Sequence, residues 1–263
     1  MNSIIKIIKY QMQDNIRSKW IIGCFVFFFA FSYWLISFTG EAAKVIMSLL
    51  NIILIIIPLI SVVFGTIYIY NNKNYITFML TQPINRTSLY SGLYFGLVIP
   101  LLLSFLLGVG IPVILYYGIF IESFGTLIIV FLTGIFQILV FTSFAFLIAT
   151  LNEDKLKGLG LSIFIWLFFT AVYDGLILFL LQMFQDYPLE KFALGLTIAN
   201  PVDLGRILVI LKFDVSALMG YTGAVFESFF GNNLGLSVSF LILQIWFVVP
   251  FIFGLKMFSK KDI

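Results

Sequence analysis

Six long apolar segments, separated by shorter polar stretches, dominate the chain. They cover residues 20–38, 46–69, 89–117, 124–150, 159–183 and 234–256. Each is close to or above the roughly 20 residues that a helix needs to cross the hydrocarbon of a bilayer. The pattern therefore predicts an all-α integral membrane protein with six spans. No internal repeat or change of composition divides it, so we expect a single domain over residues 1–263.

A helix with two distinct faces is predicted before the first span, within residues 1–19. Its apolar stripe consists of Ile4, Ile5, Ile8, Met12 and Ile16, and most of its charged residues lie elsewhere on the helix. Such a pattern is typical of a helix that lies in the membrane interface. We expect an amphipathic interfacial helix here.

A polar segment at residues 70–90, between the second and third spans, carries a helical pattern of its own. Tyr75, Phe78, Met79 and Gln82 follow the spacing i, i+3, i+4 and i+7, which places the first three on one face of a helix over about residues 74–81. Pro83 disfavours helical geometry at Gln82 and ends this helix. Asn85 is a favourable N-cap for a new helix that begins at about Arg86. An apolar face in a polar loop requires a partner.

The segment between the fifth and sixth spans, residues 184–233, is long for a simple connection. Asn200, Pro201 and Asp203 fit the N-cap, N1 and N3 positions of a helix. A second helix is expected over about residues 216–230, with many apolar side chains that must be covered by lipid, by the bundle or by another protein. We expect a docking surface for a periplasmic protein, made of Pro201, Asp203, Arg206, Phe226, Phe229 and Phe230.

The composition supports the membrane class and excludes several kinds of chemistry. Hydrophobic residues make up 62% of the chain, charged residues 10%, and the mean hydropathy is +1.13. There is no histidine and one cysteine, which excludes histidine-based catalysis, internal disulfides and His or Cys metal clusters. A phosphate-binding Gly-x-x-x-x-Gly-Lys-Ser/Thr motif is absent from the sequence. We expect no catalytic residue, no cofactor and no metal in this chain, and no nucleic acid among its partners.

The distribution of positive charges predicts the orientation. With the N-terminus inside, eleven of the fifteen Lys and Arg residues fall on the inner side, and the outer loops hold Lys44, Lys191, Arg206 and Lys212. Inner loops of membrane proteins are enriched in these residues. We therefore expect an inner-membrane protein with both termini in the cytoplasm.

A few polar side chains interrupt the spans. Asp174, in the fifth span, is ionisable, and such residues are candidates for a functional site. Asp174 has two possible roles. It is either structural, with its carboxylate hydrogen-bonded to Tyr173, Thr170 or headgroup water, or it acts in gating or substrate binding. Gln137 and Gln244 are expected to be buried amides that hold helices together.

The segment Phe78-Met79-Leu80-Thr81-Gln82-Pro83-Ile84-Asn85-Arg86 resembles the Leu-Leu-x-x-Pro-x-x-Arg pattern of ABC-2 type permeases, matched at Met79, Leu80, Pro83 and Arg86. The acidic and Arg-Gly-Thr residues usual before this pattern are replaced here by residues 71–77, and the usual Lys after Gly92 is Leu93. The resemblance implies a six-span fold of the type V exporter kind. It also implies a coupling helix, containing Tyr75, Phe78, Met79, Gln82, Pro83 and Arg86, that inserts into a cytosolic ATPase subunit.

The same resemblance implies a homodimer in the lipid bilayer, with ATP and Mg²⁺ held by the ATPase. Residues 200–206 and 216–220 are similar to those of ABC-2 permeases that serve nitrous oxide reductase maturation, which implies a periplasmic partner and a role in assembly of a copper-sulfur centre. The alternatives are a transmembrane force transmitter or scaffold that passes no solute, and an exporter of a different substrate. A secondary transporter is disfavoured because the sequence has neither a midplane charge nor internal repeats.

Overall fold

The computed structural model describes residues 3–118, 124–184, 190–210 and 233–260, and within these ranges it contains helices and no strand. The helices are α1 (Ser3–Ile16), α2 (Lys19–Thr39), α3 (Ala42–Asn71), α4 (Lys73–Leu80), α5 (Arg86–Tyr117), α6 (Phe124–Leu151), α7 (Lys155–Leu167), α8 (Tyr173–Met183), α9 (Glu190–Ile198), α10 (Pro201–Ile210) and α11 (Asn233–Lys260). A π-helical turn, Phe168–Val172, joins α7 to α8.

Six helical segments among the described residues are long and apolar enough to cross a membrane, which confirms the six predicted spans. They are α2, α3, α5, α6, the continuous α7–α8 segment and α11. Leu151, Lys155 and Lys260 lie at the end of the bundle where α3 leads into α4, which we call the α4 end. The predicted boundaries fall within a few residues of the observed ones, since charged or polar residues flank each apolar run.

Three central spans form the core, and three spans surround them. The central spans α3, α5 and α6 pack on one another, and at least half of the most apolar part of each is buried. Helix α2 packs against α5, α7 against α3, and α11 against α6. The surrounding spans are far less buried, and the fifth span has no buried residue in its most apolar window. One face of the fifth span is therefore open to lipid or to another protein chain.

Small residues bring the central helices close together. A Cβ atom added at Gly65 in α3 would lie 2.6 Å from the Cβ of Ala145 in α6, so the two backbones are in close contact. Next to this contact, the hydroxyls of Thr66 and Ser162 lie 2.6 Å apart and join α3 to α7. Ala145 and Ser162 thus form contacts between helices of the same chain.

Helix α1 lies along α5 and is held there by polar side chains. Ile7, Gln11 and Asn15 form its buried face, and Gly92 and Gly96 of α5 leave room for Ile7 and Gln11. Asn15 donates a hydrogen bond to the Gly96 carbonyl at 3.1 Å, and Tyr68 donates to Gln11 Oε1 at 2.6 Å.

Two residues of the predicted apolar stripe on α1, Ile5 and Ile16, remain exposed. These two residues are therefore free to face lipid, while Gln11 and Asn15 face the bundle. The position of α1 in the membrane interface stays a prediction from the pattern.

Candidate functional sites: a groove beside α4 and an inserted hairpin

Helix α4 forms where the sequence pattern predicted a helix and lies at the end of the bundle. Its start at Lys73 and its end at Leu80 each differ from the prediction by one residue. Thr81 closes the helix by donating its hydroxyl to the Phe78 carbonyl at 2.8 Å. Ile76, which the pattern did not single out, is 4% exposed and anchors the helix on the bundle. Phe78, in contrast, is 58% exposed.

The predicted stripe on α4 faces α1 and forms the wall of a groove. Tyr75 stacks on Tyr10 of α1 with 6.1 Å between ring centroids. Between the two helices lies a groove of about 600 Å³, lined on the α4 side by Tyr75, Phe78, Met79 and Gln82. We call it the α1–α4 groove. Tyr75 and Met79 are half-buried, so Phe78 is the most exposed member of the stripe.

The residues after α4 set the direction of the next span. Pro83 and Gln82 are exposed in the turn between α4 and α5. Arg86 begins α5 and donates a hydrogen bond to the Ser259 carbonyl near the end of α11, at 3.2 Å. Asn85 precedes the helix as predicted, but its side chain makes no capping hydrogen bond. Arg86 therefore ties the third span to the sixth at the α4 end.

Helices α9 and α10 form a hairpin that enters the bundle from the end opposite α4. We call α9 and α10 together, residues 190–210, the inserted hairpin. Residues in and beside its turn form hydrogen bonds with three different spans. Gln137 of α6 donates to the Pro201 carbonyl at 2.7 Å, Trp246 of α11 to the Ile198 carbonyl at 3.2 Å, and Asn200 to the Phe169 carbonyl at 2.9 Å. Gln137, Phe169 and Trp246 each lie fourteen residues from the α4 end of their span, which corresponds to about 21 Å along a helix.

Asn200 holds the turn of the hairpin through both ends of its amide. Its Oδ1 accepts a hydrogen bond from the Val202 backbone N–H at 2.9 Å, which is the predicted N-cap contact. Its Nδ2 donates to the Phe169 carbonyl in the π turn and to Asp203 Oδ2 at 2.8 Å. The side chain is fully buried, so these bonds replace those that water would otherwise supply.

Asp174 is paired with an arginine of the hairpin, which corrects the partners that we expected for it. Arg206 Nη1 lies 2.9 Å from Asp174 Oδ2 and 3.0 Å from Asp203 Oδ1. Thr170 donates instead to the Trp166 carbonyl, and Tyr173 to the Leu196 carbonyl. Arg206 is 32 residues from Asp174 in sequence, so no local pattern predicted this pair. The pair with Asp203 is local, since the two residues are three positions apart in α10. We call Asp174, Asp203 and Arg206 the charged triad.

The charged triad contains two carboxylates and one guanidinium, so its charges do not cancel. Burial of Asp203, followed by the negative charge of Asp174, raises the pKa of Asp203 to about 7, although Arg206 and Asn200 act in the opposite direction. The side chains of Arg206 and Asp174 are about one-third exposed, and that of Asp203 is 10% exposed. The triad thus joins the fifth span to the hairpin and changes its charge near neutral pH.

The structure corrects part of the predicted docking surface. Pro201 and Asp203 are buried within the bundle and cannot form an exposed surface in this conformation. The hairpin packs on α6, α3 and α11, and Val202, Leu204 and Leu208 are each at most 1% exposed. Phe226, Phe229 and Phe230, together with the second helix predicted over residues 216–230, lie outside the described residues.

The two glutamines differ in their environments. Gln137 is fully buried and joins α6 to the hairpin, as predicted. Gln244 was expected to be buried as well, but it is exposed on the surface of α11. Helical spacing alone could not separate the two, since both lie in uniformly apolar spans. Over the described residues, no three His, Cys, Asp or Glu side chains are close enough to hold a metal ion.

Comparison with known proteins points to one family. Residues 5–263 match the family described as ABC-2 family transporter protein. The probable ABC transporter permease protein NosY of Stutzerimonas stutzeri is 23% identical over 282 aligned positions, which cover 99% of each chain. The protein of the same name in Pseudomonas aeruginosa is 23% identical over 235 positions, covering 81% of this chain and 84% of its own length.

Proposed function

Because this chain belongs to the ABC-2 transporter family, we propose that it is the membrane subunit of an ATP-driven complex whose ATPase is a separate cytosolic protein. Members of this family are permease subunits and are generally not catalytic. The observation that carries the proposal is α4, a short helix held by Ile76 that presents Phe78 beside the α1–α4 groove. In this proposal the α4 end faces the cytoplasm, as the positive charges favour.

An apolar anchor beside a groove is a typical docking arrangement. Aromatic side chains that fill pockets supply much of the energy of protein interfaces. Phe78 would enter a pocket of the ATPase, and the groove between α1 and α4 would receive a side chain from it. Motion of the ATPase would then reach the bundle through Ile76 and through the Arg86 contact with α11.

The test is co-purification of the ATPase subunit with variants at this surface. Phe78→Glu should reduce the bound ATPase by at least about tenfold, because an anchor residue contributes about 2 kcal/mol or more to binding. Leu156→Glu is the matched control, since Leu156 is 80% exposed at the same end of the bundle but away from the groove. Undiminished ATPase on a correctly folded Phe78→Glu variant would contradict the proposal.

At a finer level, we propose that the complex is a homodimer of this chain with two ATPases and acts with a periplasmic protein in maturation of the copper-sulfur centre of nitrous oxide reductase. The support is the resemblance of residues 200–206 and 216–220 together with the two relatives named NosY. Within this proposal Arg206, Phe226, Phe229 and Phe230 remain candidates for docking. Cells that lack the chain should then produce nitrous oxide reductase without the absorption spectrum of its copper-sulfur centre.

A force transmitter that passes no solute is the second candidate function. The inserted hairpin favours it, because the hairpin fills the end of the bundle opposite α4 and bonds to the fourth, fifth and sixth spans. A rearrangement of those spans would therefore move the hairpin. Export of a different substrate is the remaining alternative.

A further inference from the structure

A second cavity at the α4 end has a polar and an apolar half. It measures about 340 Å³ and lies between the corner that joins α1 to α2 and the last two turns of α3. Asp14, Arg17 and Ser18 line it from the corner, and Asn71 and Asn72 line it from the end of α3. Further along α3 it is lined by Phe64 and Ile67. We call it the corner cavity.

The two charged residues of the corner cavity are not paired with each other. Asp14 and Arg17 are exposed and three residues apart, a spacing at which opposite charges on a helix commonly interact. Helix α1 ends at Ile16, between them. Over the described part of the chain, neither side chain forms an ion pair or a hydrogen bond. Both charges line the same cavity and are available to a ligand.

The polarity of the cavity changes along the direction of α3. Asn71 ends the helix, and Phe64 lies seven residues earlier, about 10 Å deeper in the bundle. Trp20, which is 70% exposed, packs against Phe64 with 5.5 Å between ring centroids. Tryptophan at the start of a span is typical of the membrane interface. Charged groups therefore lie toward the aqueous side, and aromatic and aliphatic groups toward the hydrocarbon.

We propose that the corner cavity binds a phospholipid whose headgroup carries a primary ammonium beside its phosphate, phosphatidylethanolamine. Arg17 would bind the phosphate, as guanidinium groups commonly do. Asp14 would bind the ammonium. Asn71 and Asn72 also line the cavity, and since Asn71 Oδ1 accepts from Lys155 and Asn72 Nδ2 donates to the Tyr68 carbonyl, Asn71 Nδ2 and Asn72 Oδ1 are the amide atoms that would bond to the headgroup. The acyl chains would follow Trp20, Ile21 and Phe64 into the bilayer.

The charges of the cavity distinguish this lipid from the alternatives. A phosphatidylglycerol headgroup offers no cation to Asp14, and the quaternary ammonium of phosphatidylcholine cannot donate a hydrogen bond to a carboxylate. A water-soluble ligand would leave the apolar half of the cavity uncovered. The site is separate from the α1–α4 groove, so the proposal does not depend on ATPase docking.

The test is native mass spectrometry of the purified full-length chain, offered phosphatidylethanolamine, phosphatidylcholine and phosphatidylglycerol with identical acyl chains. The wild-type chain should retain phosphatidylethanolamine about fivefold more than either of the others, which corresponds to one favourable charged contact. Asp14→Asn should remove this preference, and Arg17→Gln should lower retention of all three lipids. Lys9→Gln, which removes a charge from an exposed position on α1 outside the cavity, should change neither result.

Three outcomes would overturn the proposal. The first is a lipid preference that is the same in wild type and Asp14→Asn, a variant whose exposed side chain has no structural partner to lose. The second is preferential retention of phosphatidylglycerol by the wild type. The third is displacement of the bound lipid by soluble phosphoethanolamine, which would identify a headgroup site that needs no acyl chain.

Discussion

The charged triad joins the fifth span to the inserted hairpin at the end of the bundle opposite α4. Its three side chains differ in burial and in the number of charged partners. Arg206 serves two carboxylates, so its loss would leave Asp174 and Asp203 facing each other across a partly buried site. An ion pair in such a place costs free energy to desolvate, but removal of one partner costs more because the remaining charge is not compensated. Arg206 is therefore the residue of the triad whose removal should have the largest effect.

We predict that Arg206→Gln lowers the thermal stability of the purified chain more at pH 8 than at pH 6. The pKa of Asp203 is raised by burial, so this group favours the folded state at low pH, and its contribution is lost as the pH rises through about 7. Arg206 lowers the pKa of Asp203, so without Arg206 the ionisation of Asp203 beside Asp174 above that pH costs more free energy. We expect a loss of about 2 kcal/mol at pH 8, less than for a fully buried pair because the triad is partly exposed.

The matched control is Lys44→Gln. Lys44 also pairs with a carboxylate, that of Glu41, at 2.9 Å, but both side chains are about two-thirds exposed. Exposed pairs of this kind contribute less than about 1 kcal/mol. Its melting temperature should change little at either pH. The prediction is wrong if the two substitutions lower the melting temperature equally, or if the effect of Arg206→Gln does not depend on pH. The triad would then not contribute the predicted stability.

At the scale of the elements, hydropathy and helix-ending residues predicted the spans and α4, whereas the inserted hairpin could not be predicted. The spans follow from uninterrupted apolar runs, and α4 follows from the spacing of Tyr75, Phe78 and Met79 before Pro83. The hairpin is short, and its position depends on Gln137, Phe169 and Trp246, which lie 31 to 64 residues away in sequence. Local patterns predicted the start of α10 at Pro201 but not where α10 packs.

Asn200 is the residue on which the position of the hairpin depends most. We predict that Asn200→Ala destabilises the chain by about 2–3 kcal/mol, because it removes the N-cap of α10 and two further buried hydrogen bonds. The measurement is thermal unfolding in detergent, together with limited proteolysis within residues 190–210. The hairpin should become sensitive to protease before the rest of the bundle unfolds.

Asp154→Ala provides the comparison for a cap alone. The Asp154 side chain caps α7 by accepting a hydrogen bond from the Leu156 N–H at 2.8 Å, but it is exposed and bonds to no other span, and the backbone carbonyl that accepts from Tyr70 of α3 is kept in the alanine variant. Loss of an exposed cap costs about 1 kcal/mol. If Asn200→Ala were no more destabilising than Asp154→Ala, the bonds from Asn200 to the fifth span and to Asp203 would not hold the hairpin in place.

At the scale of the whole molecule, the surrounding spans present two faces on which a second copy of the chain could pack. On the fifth span, Gly160 and Gly175 are exposed, and a Cβ atom added at either would meet nothing within 4 Å. On the sixth span, the exposed Gln244 makes no hydrogen bond within the described residues, and an amide in hydrocarbon favours a partner. The apolar runs predicted six spans but could not separate these faces.

For the homodimer proposed above, we predict that the fifth span is the contact between copies. It is the least buried of the six spans, and exposed glycines let two helix backbones approach closely, which favours packing between helices in a membrane. Gly160→Trp should therefore convert the dimer to monomer in size-exclusion chromatography with light scattering, because a large ring would fill the space that the partner helix occupies. Leu241→Trp tests the competing face, since Leu241 is 58% exposed and one turn from Gln244. A dimer that survives Gly160→Trp but dissociates in Leu241→Trp would assign the contact to the sixth span instead.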